Sequence, residues 1–260
     1  WKYNTKFKLK IKMFESSSPY TKDLVSEARL AMKKDNYFLI SDAYSKEFCE
    51  RIKMDIDQAS SGLGIEINYA GTETRIWSAQ KRFNSVKRFF NESNKFVSSV
   101  FNEDMIAGSV LAIKNTPLPE EDQKNIIGRW HADSFNRQEK VFLFLSDTTE
   151  ESGPLEFIPN THKTLFRLRK ALEPGFFFNH LNIFSKKDNF RQYKSIPDSK
   201  IKSLLNKGYK AKPVLVKAGT LLLIDTAKLI HRARPCKEGE RYALTSYYRT
   251  GEGYHDYDVS

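Results

Sequence analysis

The stretch GRWHADSFNRQEKVFLFLSD, residues 128–147, places a histidine and an aspartate two positions apart, shortly before an apolar run. The run VFLFL (141–145) has the length of a buried β-strand. Residues two apart in a strand point to the same face, so His131 and Asp133 are expected to project together. An imidazole and a carboxylate form a mixed nitrogen and oxygen donor set, which suits Fe(II), Mn(II) or Zn(II).

Outward from this stretch, the chain divides into a helical first part and a β-rich second part. Residues 1–105 read as mainly helical, and residues 106–250 as an antiparallel β core that a long insertion interrupts. This order predicts one α+β domain over residues 1–260, with a barrel or jelly-roll sandwich. The predicted helices lie at 21–34, 45–60 and 80–101, the N-terminal strands at 6–13 and 35–40, the later β-like runs at 105–115, 153–159, 212–225 and 241–249, and the insertion at 163–212.

A third metal ligand has to come from elsewhere in the chain, because two ligands hold a metal poorly. His162 lies in a turn-like segment, His180 in the insertion and His255 near the C-terminus. His231 follows the buried run GTLLLID and precedes a further strand that begins at Arg241. His231 is therefore the best candidate.

Arg241 strengthens this choice. Two histidines and one carboxylate occupy one face of an iron ion, which leaves positions for a chelating 2-oxo acid and for O2. If the acid is 2-oxoglutarate, its distal carboxylate needs a fixed cation, and the planar fork of arginine pairs with a carboxylate through two hydrogen bonds. Ala243 and Thr245 are expected to share the face of the strand on which Arg241 lies.

At four places the chain resembles the phytanoyl-CoA dioxygenase family of Fe(II)/2-oxoglutarate-dependent oxygenases. The four are WHAD (130–133), SGPLEFIPNTHK (152–163), AGTLLLIDTAKLIHRA (218–233) and Arg241, ten residues after the last histidine. A looser resemblance covers DNYFLISDAYSKEFCERI (35–52).

This resemblance implies a double-stranded β-helix, a cupin-like jelly roll with N-terminal helices packed on the outside. It implies Fe(II) as the metal and 2-oxoglutarate and O2 as co-substrates. The implied metal ligands are His131, Asp133 and His231, and the implied anchor for 2-oxoglutarate is Arg241.

Other positions are expected around the cosubstrate and the substrate. Family members often carry a hydroxyl residue where this chain has Ala233, and Thr245 is a candidate replacement. Phe142 aligns with a family aromatic near the cosubstrate, and Lys114 with a polar residue that faces the pocket in some relatives. The candidates for substrate contact, most of them from RIWSAQKR (75–82), are Arg75, Trp77, Gln80, Lys81 and Phe135.

The expected activity is oxidation, most simply hydroxylation, of an unactivated C–H bond in a small polar or anionic metabolite. Related halogenases have Gly or Ala in place of the carboxylate, so Asp133 favours hydroxylation, desaturation or cyclisation over chlorination. A catalytically silent metal-binding jelly roll and a zinc or manganese cupin enzyme stay open as alternatives. A nucleic-acid demethylase is disfavoured, because Asp133 and His231 lie far apart and RYALTSYYR lacks that family's asparagine.

Composition gives weaker constraints. The 260 residues carry a formal net charge of +11, but acidic residues are interspersed with the basic ones, which indicates a lysine-rich surface rather than a nucleic-acid site. The longest apolar runs have strand length, and the N-terminus lacks the apolar centre of a signal peptide. Two cysteines cannot form a disulfide framework, so the expected compartment is the cytoplasm. The short apolar runs predict no membrane contact, and the resemblance implies a small-molecule substrate. The sequence leaves the oligomeric state open.

Overall fold

The computed structural model describes residues 20–59, 65–68, 71–117, 128–133, 137–171, 173, 176 and 195–249. The helices within these ranges are α1 (Lys22–Asp35), α2 (Lys46–Gln58), α3 (Ala79–Arg82), α4 (Asn84–Phe101), α5 (Thr164–Ala171) and α6 (Asp198–Asn206). The strands are β1 (Tyr37–Ile40), β2 (Ile65–Asn68), β3 (Glu73–Ile76), β4 (Val110–Asn115), β5 (Gln138–Phe144), β6 (Leu155–Ile158), β7 (Lys212–Pro213), β8 (Leu221–Asp225), β9 (Ile230–Ala233) and β10 (Arg241–Arg249).

The strands form two antiparallel sheets. The larger has seven strands in the order β1-β8-β5-β10-β4-β3-β2, and the smaller has three in the order β7-β6-β9. The pleat divides the side chains of the larger sheet between two faces. On β10, Tyr242, Leu244 and Tyr248 join the core against the helices, whereas Arg241 and Thr245 belong to the opposite face. We call this opposite face, which is turned toward the smaller sheet, the inner face.

Among the described residues, two of the three apolar clusters lie between these layers. The first lies between the helices and the larger sheet, where α4 buries Val86, Phe89, Phe96 and Val100. The second lies between the two sheets and contains, among others, Phe144, Leu155, Phe157, Val214, Leu222 and Ile224. The helices thus cover one face of the larger sheet, and the inner face encloses the interior of the barrel.

The N-terminal helices begin where the sequence provides caps. The hydroxyl of Thr21 accepts a hydrogen bond from the N–H of Leu24, and Ser45 does the same for Phe48. Asn36 ends α1 in the left-handed conformation, which asparagine tolerates better than most residues.

The predicted α+β jelly-roll class is confirmed, and several elements differ in detail. Helices α1 and α2 match the predicted ones closely, but the helix predicted at 80–101 is divided at Phe83, whose backbone is extended. Strands β2 and β3 were not predicted, because residues 65–76 offer only short apolar alternation. The insertion contains α5 and α6. The strand predicted at 6–13 lies outside the described residues.

No helix within the described ranges is long and apolar enough to span a membrane. The cysteines, Cys49 and Cys236, are both buried and both are free thiols.

Gly219 is a position where the fold tolerates no side chain. Its φ is +87°, and a Cβ there would lie 2.1 Å from the carbonyl oxygen of Tyr44. The carbonyl of Gly219 also accepts a hydrogen bond from the N–H of Tyr44 at 3.1 Å, which fixes the two segments together.

We expect the substitution Gly219→Ala to lower the free energy of unfolding by more than about 3 kcal/mol, because steric overlap adds to backbone strain. Gly208→Ala is the matched control, since Gly208 has a φ of +89° and open space around its Cβ position. That control should cost only about 1 kcal/mol from backbone strain. Urea unfolding of both variants measures the difference, and equal losses would contradict the steric account.

Candidate metal centre

A backbone bridge brings the two candidate histidines together. The N–H of His131 donates to the carbonyl of His231 at 3.0 Å, and the N–H of His231 donates back at 2.9 Å. The centroids of the two imidazole rings are 4.4 Å apart. The N–H of Asp133 donates to the carbonyl of Thr226 at 3.0 Å, in the turn between β8 and β9. The backbone therefore fixes both chain segments next to each other.

The expectation of a continuous strand over 131–133 was wrong. His131 forms an isolated bridge, and Asp133 lies in a bend that bonds to the turn after β8. His231 was expected to follow a strand, but it lies within the separate strand β9. The convergence of the three side chains thus depends on pairing with β9 and the β8–β9 turn, and not on strand alternation alone.

The potential ligand atoms of His131, Asp133 and His231 all lie within 4.8 Å of one another. Nε2 of His131 is 3.4 Å from Oδ1 of Asp133, and Nε2 of His231 is 3.6 Å from Oδ2. Each Nδ1 lies at hydrogen-bond distance from a backbone carbonyl, 2.8 Å from Arg129 for His131 and 2.9 Å from Leu229 for His231. If each Nδ1 carries the proton, each Nε2 lone pair is available to a metal.

The surroundings favour the protonation states that a metal requires. Burial lowers the pKa of His231 to about 3, although Asp133 opposes this effect. Burial would raise the pKa of Asp133, but Lys140 and the two imidazoles outweigh it and hold that pKa well below its usual range. A neutral imidazole and an ionised carboxylate are the ligand forms of these groups.

Arg232 fixes the segment that carries His131, and the buried carboxylate of Glu156 holds Arg232 in place. Arg232 places its guanidinium 4.6 Å from the centroid of the Trp130 ring and donates to the carbonyl of Gly128 at 3.2 Å. Glu156, which is buried on β6, pairs with Arg232 and also with Arg234 at 2.7 Å. These contacts connect both sides of the site to the smaller sheet.

Arg241 lies on the inner face of β10 within a row of polar side chains. The guanidinium donates to the carbonyl of Gly153 and, at 2.7 Å, to Oδ1 of Asn115 on β4. The amide of Asn115 donates at 3.0 Å to Glu73 on β3, whose carboxylate pairs with Arg75 at 2.7 Å. Burial lowers the pKa of Arg241, but an arginine still stays charged. Both hydrogen-bond acceptors of Arg241 among the described residues are neutral, so further N–H donors of the guanidinium stay available to an anion.

Thr245 and Phe142 lie opposite each other on β10 and β5. Thr245 is 1% exposed, and its hydroxyl has no hydrogen-bond partner among the described residues. An unpaired buried hydroxyl destabilises the folded state. A ligand that accepts its hydrogen bond would remove this cost. Between Thr245 and Arg241 on the same face is Ala243, whose side chain is short.

Two residues predicted to contact a ligand have protein partners in the structure. Lys114 was expected at the cosubstrate, but the pleat of β4 turns it to the other face, where it pairs with Asp57 at 2.8 Å and Glu240 at 3.0 Å. Its neighbour Asn115 faces inward instead. Gln80 was expected at the substrate; its side-chain oxygen accepts the N–H of Val110 at 2.9 Å, and its contact with substrate stays a prediction.

The other predicted substrate residues have different outcomes. Trp77 lies with its ring centroid 6.4 Å from that of Tyr247, and Arg75 lies on the inner face beside Glu73. Lys81 is exposed on α3. Phe135 lies outside the described residues. Contact of any of these with substrate stays a prediction.

Sequence reasoning missed Gln138 and Lys140, which both donate to Oδ2 of Asp133, at 3.0 and 2.6 Å. It also missed Asn115 and Glu73 beside Arg241. One signal was present for the first pair. Gln138, Lys140 and Phe142 alternate along β5, so a cosubstrate position at Phe142 places the other two on the same face.

Comparison with known proteins identifies the family. The family model of phytanoyl-CoA dioxygenase (PhyH) matches residues 32–240, which is most of the chain. The chain belongs to this family. No curated protein matches it in sequence.

Solved structures with the same fold share little sequence with this member of the phytanoyl-CoA dioxygenase family. The carbocyclase SnoK from nogalamycin biosynthesis is 14% identical, with a TM-score of 0.62 over 91% of this chain and 87% of SnoK. The epimerase SnoN from the same biosynthesis is 13% identical, with a TM-score of 0.61 over 87% of this chain and 83% of SnoN. HygX from Streptomyces hygroscopicus, with nickel and 2-oxoglutarate bound, is 15% identical, with a TM-score of 0.58 over 87% of both chains.

As a member of this family, the chain is a non-haem Fe(II)/2-oxoglutarate-dependent oxygenase. Its residues fit both Fe(II) and 2-oxoglutarate. Two imidazoles with Nε2 turned inward and one ionised carboxylate form a donor set suited to Fe(II). A charged arginine and an unpaired buried hydroxyl on one strand suit the carboxylates of 2-oxoglutarate.

If the triad holds the metal, His231→Ala should weaken Mn(II) binding by more than about a hundredfold, because loss of a direct ligand exceeds the effects of outer partners. Isothermal titration calorimetry with the metal-free protein measures the affinity. The control is His162→Ala, since Nε2 of His162 lies 3.1 Å from the carbonyl of Lys34 and outside the triad. Equal affinities for the two variants would show that the metal binds elsewhere.

Proposed function

We propose that the chain hydroxylates an unactivated C–H bond of a small polar or anionic metabolite, with decarboxylation of 2-oxoglutarate to succinate and CO2. The observation that carries this proposal is the joint placement of two sites inside one barrel. His131, Asp133 and His231 converge at one, and Arg241 lies on the inner face of β10 at the other.

In this proposal, the triad holds Fe(II) and the strand β10 binds the cosubstrate. The bound metal supplies activation of O2 and oxidation of the substrate C–H bond. Arg241 holds the distal carboxylate of 2-oxoglutarate through its free N–H donors, and Thr245 donates its hydroxyl to the same molecule. Asn115 and Gly153 keep the guanidinium of Arg241 in place before the cosubstrate binds.

Apolar and aromatic groups favour exclusion of water beside the cosubstrate. Phe142 lies opposite Thr245 and packs near Phe144, with ring centroids 6.3 Å apart. Leu111 of β4 lies opposite Thr245 on the other side. This apolar lining strengthens the electrostatic attraction between Arg241 and a carboxylate.

The proposed substrate class rests on the groups near the triad and on the structural neighbours. Tyr247 and Trp77 form an aromatic pair, and Tyr247 lies on β10, the strand that carries Arg241. An aromatic pair beside polar groups suits a polar organic molecule. SnoN and HygX have structures with nogalamycin RO and hygromycin B bound, respectively, which are small molecules.

Cyclisation or desaturation by the same site is the second candidate. The neighbours SnoK and SnoN are a carbocyclase and an epimerase, so this fold carries outcomes other than hydroxylation. Hydroxylation adds one oxygen atom to the substrate, whereas desaturation or ring closure removes two hydrogens.

The test is turnover with Fe(II), ascorbate, 2-oxoglutarate and a panel of small polar and carboxylated metabolites. Succinate formation above the background without metabolite identifies a substrate, and mass spectrometry of the product separates the outcomes. An enzymatic function would be contradicted if the protein bound Fe(II) and 2-oxoglutarate but formed no succinate, with or without a metabolite.

Arg241 and Lys114 provide a matched pair of cations for testing the cosubstrate site. We expect Arg241→Met to raise the KM for 2-oxoglutarate by at least about tenfold, because charge-assisted hydrogen bonds to the carboxylate are lost. Lys114→Met should leave this KM unchanged, since Lys114 pairs with Asp57 and Glu240 on the other face. The uncoupled formation of succinate measures both. A larger effect at Lys114 would contradict the assignment.

A further inference from the structure

We propose that Lys140 is a positioning residue whose positive charge weakens metal binding to the triad and strengthens 2-oxoglutarate binding to the metal-loaded site. This inference rests on the proposed metal site. It concerns a residue outside the ligand set, on β5 rather than on the segments that carry the histidines.

Lys140 and Gln138 act on one oxygen of the ligand carboxylate. The ammonium of Lys140 lies 2.6 Å from Oδ2 of Asp133, and the amide nitrogen of Gln138 lies 3.0 Å from the same oxygen. Both side chains come from the inner face of β5, two positions apart. With Oδ2 engaged by two donors, Oδ1 is the oxygen that stays available as a metal ligand.

The interaction is well shielded from water. The side chain of Lys140 is 9% exposed and that of Asp133 is 15% exposed, so solvent screens the pair weakly. Tyr247 on β10 covers the ammonium group of Lys140, with 4.5 Å between Nζ and the ring centroid. The pleat holds Lys140 there, because Tyr247 and Lys140 are paired residues of neighbouring strands.

The charge balance gives the two opposite effects. A divalent ion and one carboxylate leave a single positive charge, and Lys140 raises this to two. The added cation repels the metal, so the metal binds less tightly than to the same ligands without Lys140. The two negative charges of 2-oxoglutarate then cancel the total, so the same cation favours the bound cosubstrate.

The changes in metal affinity and in 2-oxoglutarate affinity distinguish this role of Lys140 from a purely structural one. If Lys140 only orients Asp133, its removal weakens metal binding and leaves cosubstrate binding to the loaded site unaffected. If its charge matters as proposed, removal of Lys140 strengthens metal binding and weakens 2-oxoglutarate binding.

The test measures two dissociation constants by calorimetry, first for Mn(II) with metal-free protein and then for 2-oxoglutarate with Mn(II)-loaded protein. For Lys140→Met, we expect Mn(II) to bind about tenfold more tightly and 2-oxoglutarate about tenfold more weakly. Lys140→Gln should give the same signs with a polar side chain, which guards against a folding defect in the methionine variant. Lys140→Arg keeps the charge, and both constants should stay within about threefold of the original.

Gln138→Leu is the control for loss of a hydrogen bond without loss of charge. It should weaken Mn(II) binding and leave 2-oxoglutarate binding unchanged. Weaker Mn(II) binding or unchanged 2-oxoglutarate binding in both Lys140→Met and Lys140→Gln would overturn the inference. Failure of the proposed function looks different, because the original protein would then bind Mn(II) no better than His231→Ala.

Discussion

The backbone pairing of His131 with His231 is the constraint on which the rest of the site depends. Two reciprocal hydrogen bonds, at 3.0 and 2.9 Å, join segments that are far apart in the chain. The pairing brings two imidazoles beside the carboxylate of Asp133, and burial keeps His231 from accepting a proton by lowering its pKa to about 3. Such a cluster presents three donor groups to a divalent cation, and these groups meet only in the folded chain, so folding and metal binding are coupled.

The pleat of the larger sheet turns alternate side chains toward the helices and toward the barrel interior. On β10, Tyr242 and Leu244 pack against the helices, while Arg241 and Thr245 face the barrel interior. Because strands pair in register, polar residues of β3 and β4 form a row with Arg241 of β10. The same alternation on β5 brings Lys140 to Asp133. One sheet thereby separates a helix-covered core from the interior that holds the proposed site.

Much of this arrangement could be predicted from the sequence, and the failures have physical causes. The spacing of His131 and Asp133, the buried run before His231 and the resemblance to the family together predicted that the three would meet, although the strand assumed at 131–133 is only an isolated bridge. The placement of Lys114 failed because a position counted along the chain does not give the face of a strand, which is set by register. The contacts of Asn115 were equally hidden, since they join residues on three strands that only the fold brings together.

The most direct test of this account is a crystal structure obtained without oxygen, with Fe(II) and 2-oxoglutarate bound. We expect iron on Nε2 of His131, Nε2 of His231 and one oxygen of Asp133, at the distances of about 2.0–2.2 Å usual for such ligands to a divalent metal. The distal carboxylate of 2-oxoglutarate should lie on the guanidinium of Arg241. Iron bound without His231, or a cosubstrate whose distal carboxylate lies away from Arg241, would contradict the account.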